Sequence, residues 1–327
     1  MRAVVATAAG GPEVLQVVEL PDPEPGPDEA VVQVAAAGVN FIDTYRRSGL
    51  YPMSYPHVVG SEGAGRVVAV GSGVRGLTVG DRVAWTAARG SYAELATVRA
   101  ADLIPVPDDV PDDVAAALPM QGITAHYLVT STVELRPGDD VLLHAAAGGV
   151  GLLATQLAAL RGARVIGTVG SAAKEELARG AGAAEVIRYR ELADLTHGLP
   201  AIVRGLTGGV GVRAAYDSVG KDTFDASLAS VRPRGTLVLF GASSGPVPPL
   251  DPQRLNTAGS LYLTRPSIGA YTATREELLS RTDELFALVG DGRLQARIGA
   301  AFPLEQAADA HRALEGRATT GKVLLLP

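Results

Sequence analysis

Ala146, Gly148 and Gly151 stand at the spacing of a turn that admits a phosphate to the backbone, and Lys174 lies a short way downstream. Small residues are what such chemistry needs, because a side chain there would hold the anion away from the N–H groups. The turn follows the apolar run Val141-Leu142-Leu143 and opens straight into Leu152 to Leu160, where apolar residues recur at helical spacing. After Gly162 comes a second apolar run, Arg164-Val165-Ile166-Gly167-Thr168-Val169. Strand, glycine turn, helix and strand make a βαβ unit. Its helix start leaves N–H groups unpaired at the positive end of the helix dipole, which favours a pyrophosphate. The pattern is G-x-G-x-x-G with alanine at the first glycine, and its context is the one a dinucleotide fingerprint requires.

The end of the second strand says which dinucleotide. An NAD site places Asp or Glu there for the ribose hydroxyls, whereas this chain has Thr168-Val169-Gly170-Ser171-Ala172-Ala173-Lys174 and no carboxylate before Glu175. A carboxylate would repel a 2′-phosphate and Lys174 would attract one. Only three lysines occur, the others being Lys221 and Lys322, and a cation in the first turn of the helix Ser171 to Arg179 opposes the dipole unless an anion sits beside it. A charge-assisted contact of this kind contributes about 1.5–3 kcal/mol, a preference for NADPH on the order of ten- to hundredfold.

Several classes of function are excluded by composition. The 327 residues, 47% hydrophobic and 20% charged, suit a soluble globular protein of two ordinary domains. A net charge of −6 and a pI near 5.5 argue against a nucleic-acid partner. The absence of cysteine removes disulfides, thiolate nucleophiles and Cys-ligated zinc or iron–sulfur clusters. With no signal-like apolar core at the N-terminus and no run of eighteen apolar residues, no membrane segment is expected and the cytoplasm is the expected location.

Around the nucleotide unit the chain changes character twice. Residues 1 to about 125 are β-rich, with strand patterns at Val14 to Leu20, Ala30 to Ala37, Gly65 to Val70, Arg82 to Trp85 and Tyr92 to Val98 between Gly, Pro and Asp turns. Between Gly38 and Pro56 this gives way to what reads as a loop rich in Asn40, Phe41, Asp43, Tyr45, Arg46, Arg47, Tyr51 and Tyr55, a suitable wall for a flat ligand. Helical text over Asp112 to Leu118 and Pro119 to Leu128, including Gln121, Thr124 and Tyr127, leads into the nucleotide unit. Further strands are expected at Glu185 to Arg188, Val212 to Tyr216, Gly235 to Phe240 and Ser260 to Thr264, with helices between most of them. Ligands bind at the carboxyl ends of such strands, which nominates Ser218, Phe240 and Ser243. Two helices, near Arg275 to Val289 and Leu304 to Leu314, precede a last strand, Lys322 to Leu326, expected to return to the first domain.

Read together, Gly138-Asp139, Leu142, Ala146-Ala147-Gly148-Gly149-Val150-Gly151 and Gln156 resemble the signature of the zinc-independent quinone oxidoreductases, the zeta-crystallin branch of the medium-chain dehydrogenase/reductase superfamily. So do Gly10-Gly11-Pro12-Glu13-Val14-Leu15, Asn40 to Tyr45 with Arg47-Ser48-Gly49, Tyr216-Asp217-Ser218-Val219-Gly220 and Thr264-Arg265-Pro266. Ala159, where the signature commonly carries a basic residue, is a departure beyond the phosphate turn. The resemblance implies an α/β fold: a GroES-like β-rich catalytic domain, residues 1–125 and 265–327, around a Rossmann doubly wound parallel sheet domain, residues 126–264. It implies NADPH as donor, quinones as acceptors and a homodimer joined through the nucleotide domains. It also implies Lys174 and Tyr189, with Gly170, Ser171 and Arg317, around the 2′-phosphate. Gly148, Gly149, Val150 and Gly151 are implied along the pyrophosphate, Asn40, Tyr45, Thr124 and Tyr127 at the nicotinamide end, and Ser218, Phe240, Ser243 and Arg265 along the rest of the cleft. Where zinc-using relatives have Gly-His-Glu this chain has Gly60-Ser61-Glu62, and Asn40 stands in the loop of a cysteine ligand, so no metal is expected.

A quinone is already electrophilic, so what it needs is a ring held flat against the nicotinamide and water kept away. The expected pocket is Asn40, Tyr45, Tyr51, Gln121 and Thr124, with no obligatory acid and Tyr45 available to a developing oxyanion. Two alternatives stay open: reduction of α,β-unsaturated aldehydes or ketones with the same donor, and a non-catalytic dinucleotide-binding role, structural or RNA-associated.

Overall fold

The computed structural model describes residues 1–88 and 90–327. The chain divides into two compact units, residues 1–123 with 272–327, and residues 124–271.

The first unit begins with strands β1 (Arg2–Ala6), β2 (Leu15–Glu19) and β3 (Glu29–Val39), then helix α1 (Phe41–Ser48). Here the sequence reading of a loop is corrected. Asn40 caps the helix reciprocally with Asp43, and Gly49 ends it at φ 82°, a conformation suited to glycine. Local capping overrides a segment whose aromatic residues mask any apolar stripe. Strands β4 (His57–Val58), β5 (Glu62–Val70), β6 (Arg82–Trp85), β7 (Leu95–Arg99) and β8 (Ile104–Pro105) follow, with helices α2 (Asp112–Ala117) and α3 (Pro119–Tyr127).

The second unit alternates strand and helix through β9 (Asp140–Leu143), α4 (Gly149–Leu160), β10 (Arg164–Val169), α5 (Ala172–Gly180), β11 (Glu185–Arg188) and α6 (Leu195–Leu206). It continues with β12 (Val212–Asp217), α7 (Phe224–Ser230), β13 (Val231–Leu239), α8 (Gln253–Thr257) and β14 (Tyr262–Thr264). The sheet order is β11-β10-β9-β12-β13-β14, and every pairing is parallel. That is the doubly wound order, whose direction of winding reverses between β9 and β12 and so leaves a crevice at their carboxyl ends. Leu142, Ile166, Leu199, Val203, Phe224 and Leu237 fill the core against the sheet.

The chain then returns through α9 (Arg275–Gly290), β15 (Ile298–Pro303), α10 (Ala307–Glu315) and β16 (Lys322–Leu326). β16 pairs antiparallel with β3 and so enters the first unit's larger sheet, β15-β16-β3-β5-β6-β8. β1, β2 and β4 form a separate three-stranded sheet. β15 escapes the sequence reading because its Gly299-Ala300-Ala301 centre lacks the branched residues that mark a strand.

Candidate functional site

At the glycine corner each small residue answers a steric demand. A Cβ on Gly151 would overlap the carbonyl oxygen of Ala145. Alanine is accommodated at the first fingerprint position because Gly167 of β10 lies opposite, where an added Cβ would come 2.8 Å from that of Ala146. Gly148 caps α4, and the first-turn N–H groups of Gly149, Val150 and Gly151 meet no acceptor among the described residues. These donors and this clearance are what a pyrophosphate requires.

Charge at the end of β10 is arranged by ion pairs. Glu175, the first carboxylate after the strand, pairs with Arg179 at 2.9 Å and with Arg188 at 3.1 Å. Ser171 caps α5 by accepting from the backbone N–H of Lys174. A Cβ built on Gly170 would stand 3.0 Å from the Tyr189 hydroxyl and 3.4 Å from Nε of Arg190, so Tyr189 and Arg190 both overhang that strand end. Arg190 is exposed and has no ion-pair partner among the described residues. Sequence reasoning passed over it. No local signal marks it: Asp194 stands four positions on as a plausible partner, and only the fold shows that Asp194 pairs with His197 instead. Arg317 belongs to the first unit, just beyond α10, at φ 56°.

Along the same sheet edge, Ser218, Phe240, Ser243 and Arg265 do come together. The Ser218 carbonyl accepts from the Ser243 N–H at 3.2 Å, the Phe240 N–H donates to the Asp217 carbonyl at 2.8 Å, and Arg265 donates to the Leu239 carbonyl at 2.9 Å. Asp217 underlies this edge, fully buried, accepting from the Val219 and Gly220 N–H groups and from the Thr223 and Ser227 hydroxyls. His144 meets the Ser227 hydroxyl at 2.9 Å. His, Ser and Asp in contact suggest a nucleophile, but Asp217 and His144 both bond the serine, and all three are buried, so the group ties β9 to β12. Tyr127 is also buried, its ring stacked on Tyr271 with centroids 4.3 Å apart. Thr124 is half-buried at the first position of this unit.

In the first unit the decisive feature is an ion pair in the core. Lys322 of β16 and Glu62 of β5, 1% and 0% exposed, pair through Nζ and Oε2. Asn40 bridges them, its Oδ1 accepting from Lys322 at 3.0 Å and its Nδ2 donating to Glu62 at 2.7 Å and to the Gly38 carbonyl at 3.3 Å. Both amide hydrogens of Asn40 are therefore committed, and it is part of the framework that joins β3, β5 and β16 rather than a spare donor. The other Glu62 oxygen accepts from the Met120 N–H at 2.6 Å, a carboxylate at the start of α3 that fixes Gln121 next to it. A Cβ on Gly38 would overlap Glu62, which is why β3 carries glycine there.

A second network runs from the same helix. Arg47 donates to Nδ1 of His311 at 3.0 Å and pairs with Glu315 at 2.7 Å. Because an arginine can only donate, Nδ1 is the acceptor and the proton sits on Nε2. That Nε2–H faces the Tyr92 oxygen at 3.1 Å, and the Tyr92 hydroxyl donates to Asp43 Oδ2 at 3.2 Å. Asp43 also accepts from the Asn40 N–H and from Ser61. Burial pushes Asp43 up to about 6, and burial followed by the Arg47 charge pushes His311 down to about 3. Tyr45 and Tyr51 meet edge to face at 5.4 Å, in a stretch where Leu50, Tyr51 and Met53 are exposed.

Two family models match: an alcohol dehydrogenase GroES-like domain over residues 26–108 and a zinc-binding dehydrogenase over residues 149–284. A quinone oxidoreductase of Pseudomonas aeruginosa is 48% identical over 322 residues, 98% of each chain. This chain belongs to the quinone oxidoreductase family of the medium-chain dehydrogenase/reductase superfamily. Among solved structures, a mycobacterial protein complexed with NADPH is 51% identical with a TM-score of 0.97, the match covering all of both chains. The Escherichia coli quinone oxidoreductase complexed with NADPH is 44% identical, again with a TM-score of 0.97 over all of both chains. Against the zinc-binding description of the second family model, this quinone oxidoreductase relative has no cysteine, and its Glu62 oxygens are taken by Lys322, Asn40 and the Met120 N–H. No group of three or more His, Asp or Glu that would hold a metal occurs among the described residues.

Two outcomes follow from these networks. Lys322→Met leaves Glu62 buried and uncompensated, and should cost about 3–5 kcal/mol in urea unfolding, much of it recovered by adding Glu62→Gln. The second concerns pH. His311 resists protonation when folded, so its contribution is lost as pH falls from 6.5 toward 3, whereas Asp43 holds its proton when folded and adds stability as pH falls from 6 toward 3.8. Asp43→Asn removes the compensating half, so between pH 6 and 4 its stability should fall relative to wild type by up to about 1.4 kcal/mol per pH unit.

Proposed function

We propose that the protein reduces quinones with NADPH, the nicotinamide supplying the hydride or electrons when bound, and that its own residues bind, orient and exclude water without a metal-dependent step. The reading is carried by a chain-long relationship to quinone oxidoreductases that coincides with the charge pattern at the end of β10. There Glu175 is engaged by Arg179 and Arg188, and Tyr189 and Arg190 overhang Gly170 where an acid would otherwise hold the ribose. Lys174, Tyr189 and Arg190 would meet the 2′-phosphate, with Gly170 and Ser171 around them. Gly148, Gly149, Val150 and Gly151 would meet the pyrophosphate, and Ser218, Phe240, Ser243 and Arg265 would border the remainder.

At the acceptor end the committed hydrogen bonds of Asn40 fit a role in shaping the wall. Tyr45, Tyr51 and Gln121 would supply its aromatic and polar surface, with Tyr45 available to a developing oxyanion. Thr124 and Tyr127, the latter buried and stacked on Tyr271, are assigned to the nicotinamide end. Reduction of conjugated aldehydes or ketones is less supported, since the named relatives at 44–48% identity are quinone oxidoreductases. A non-catalytic role would give NADPH binding without turnover. A panel of quinones and enones, run beside a stoichiometric NADPH titration, separates the three readings: quinone turnover is expected, and its absence with intact binding would overturn the proposal.

A homodimer through the nucleotide units is supported by β14, an edge strand whose Tyr262 is 65% and Leu263 36% exposed. No described helix is long and apolar enough to cross a membrane, and we take the cytoplasm as the working location.

Two measurements check these assignments. Lys174→Ala and Arg190→Ala should each lower the ratio of kcat/KM for NADPH over NADH by on the order of ten- to hundredfold, in line with about 1.5–3 kcal/mol for a charge-assisted contact. Equal losses with both donors would remove the residue from the phosphate site. Tyr262→Lys should shift the mass seen by light scattering from dimer to monomer.

A further inference from the structure

α1 ends on two adjacent arginines with opposite fates. Arg47 is 2% exposed and saturated, donating to the Gly10 carbonyl, to His311 and to both oxygens of Glu315. Arg46 is half-buried, and among the described residues its guanidinium makes one hydrogen bond, to the Ser61 hydroxyl at 2.7 Å, and no ion pair. Ser61 in turn donates to Asp43 at 3.0 Å. Asp43 lies close enough for its carboxylate to feel the Arg46 charge, but no direct bond joins them: its oxygens accept from Ser61, Tyr92 and the Asn40 N–H.

The charges around α1 therefore pair unevenly. Lys322 has Glu62, Arg47 has Glu315, and Arg46 has a hydroxyl. A guanidinium carries five donors in a planar fork suited to a carboxylate or sulfonate, and four of these are unspent here. Ser61 immediately precedes Glu62, whose carboxylate holds Asn40, so the anchor of Arg46 belongs to the same short segment as the framework of the pocket wall. The residue before Arg46 is Tyr45, whose ring meets Tyr51 edge to face, beside exposed Leu50 and Met53. Aromatic surface next to an incompletely matched cation fits a flat ligand bearing an acid group.

We infer that Arg46 is a specificity-determining residue of the acceptor pocket and selects quinones that carry a carboxylate or sulfonate on the ring. The inference rests on the quinone-reductase reading and deepens it. The guanidinium binds the acid group, which takes no part in the reaction, and the ring is thereby held by two points instead of one.

The test compares kcat/KM for 1,4-naphthoquinone-2-sulfonate and for 2-methyl-1,4-naphthoquinone in wild type, Arg46→Met, Arg46→Gln and Arg46→Lys. Differences in intrinsic electrophilicity cancel when each variant's sulfonate-to-methyl ratio is divided by that of wild type. In Arg46→Met and Arg46→Gln this ratio should fall on the order of tenfold, part of it returning in Arg46→Lys, and the difference should shrink as salt is raised. An unchanged ratio would overturn the inference while leaving quinone reduction intact. If wild type turns over neither quinone, the broader reading fails, and calorimetric binding of redox-inert naphthalene-2-carboxylate still decides the role of Arg46. Weaker binding in Arg46→Met supports it, and equal or no binding in wild type and variant overturns it.

Discussion

The first unit depends on keeping one ammonium and one carboxylate together away from water. Lys322 comes from the last strand, Glu62 from β5 and Asn40 from the start of α1, so three segments far apart in sequence are fixed to one another by a single buried charge pair. Taking both ions out of water is expensive, and the pair is tolerated only because nearly every remaining donor and acceptor is filled. The Met120 N–H takes the second carboxylate oxygen, which carries the constraint on to α3. Gly38 is the steric consequence: the two charged side chains pass where its Cβ would be. A pair bought at this desolvation cost adds less to stability than to uniqueness, because alternative registers of β16 against β3 would leave an ion without its partner.

The second unit solves a different electrostatic problem with exposed groups. Selecting a 2′-phosphorylated ribose takes removal of negative charge as much as provision of positive charge. Glu175 is one turn from the strand end and would oppose the phosphate, but Arg179 from its own helix and Arg188 from β11 draw it aside. Exposed pairs of this kind add little to stability. Their effect here is on the local potential, since both arginines offset the Glu175 charge at the end of β10. The Gly167 and Ala146 pairing shows the same economy in packing: the fingerprint lacks its first glycine, and the neighbouring strand supplies the missing space.

Much of this was legible beforehand because the nucleotide unit is built from local signals. Strand, turn and helix alternate with short connections, and the doubly wound order follows once each strand is found. The acceptor side was less legible. α1 is held by the reciprocal Asn40 and Asp43 cap and by Gly49, cues that a run of tyrosines and arginines obscures. The sequence offers Asn40 as a candidate pocket residue, but its commitment to Lys322 and Glu62 depends on β16 lying beside β3, a pairing across nearly the whole chain. Arg190 was missed because nothing local separates a surface arginine from one that overhangs a strand end; only the fold brings it to Gly170.

The direction of the donor chain from Arg47 bears on how a reduced acceptor gets its proton. Each hydrogen from the guanidinium through His311 and Tyr92 points inward and terminates on Asp43, which is 1% exposed. Passing a proton the other way would require Asp43 to release one to Tyr92, Tyr92 to His311, and His311 to carry charge beside Arg47, in a site whose burial and positive neighbour already hold it neutral. The network is therefore poorly suited to relay and well suited to hold α1, and with it Tyr45 and Arg46, against α10. If Tyr45 and Arg46 line the acceptor pocket as proposed, a wall fixed in this way would lower the cost of orienting a flat acceptor, and the proton that completes its reduction would have to come from another source than this network.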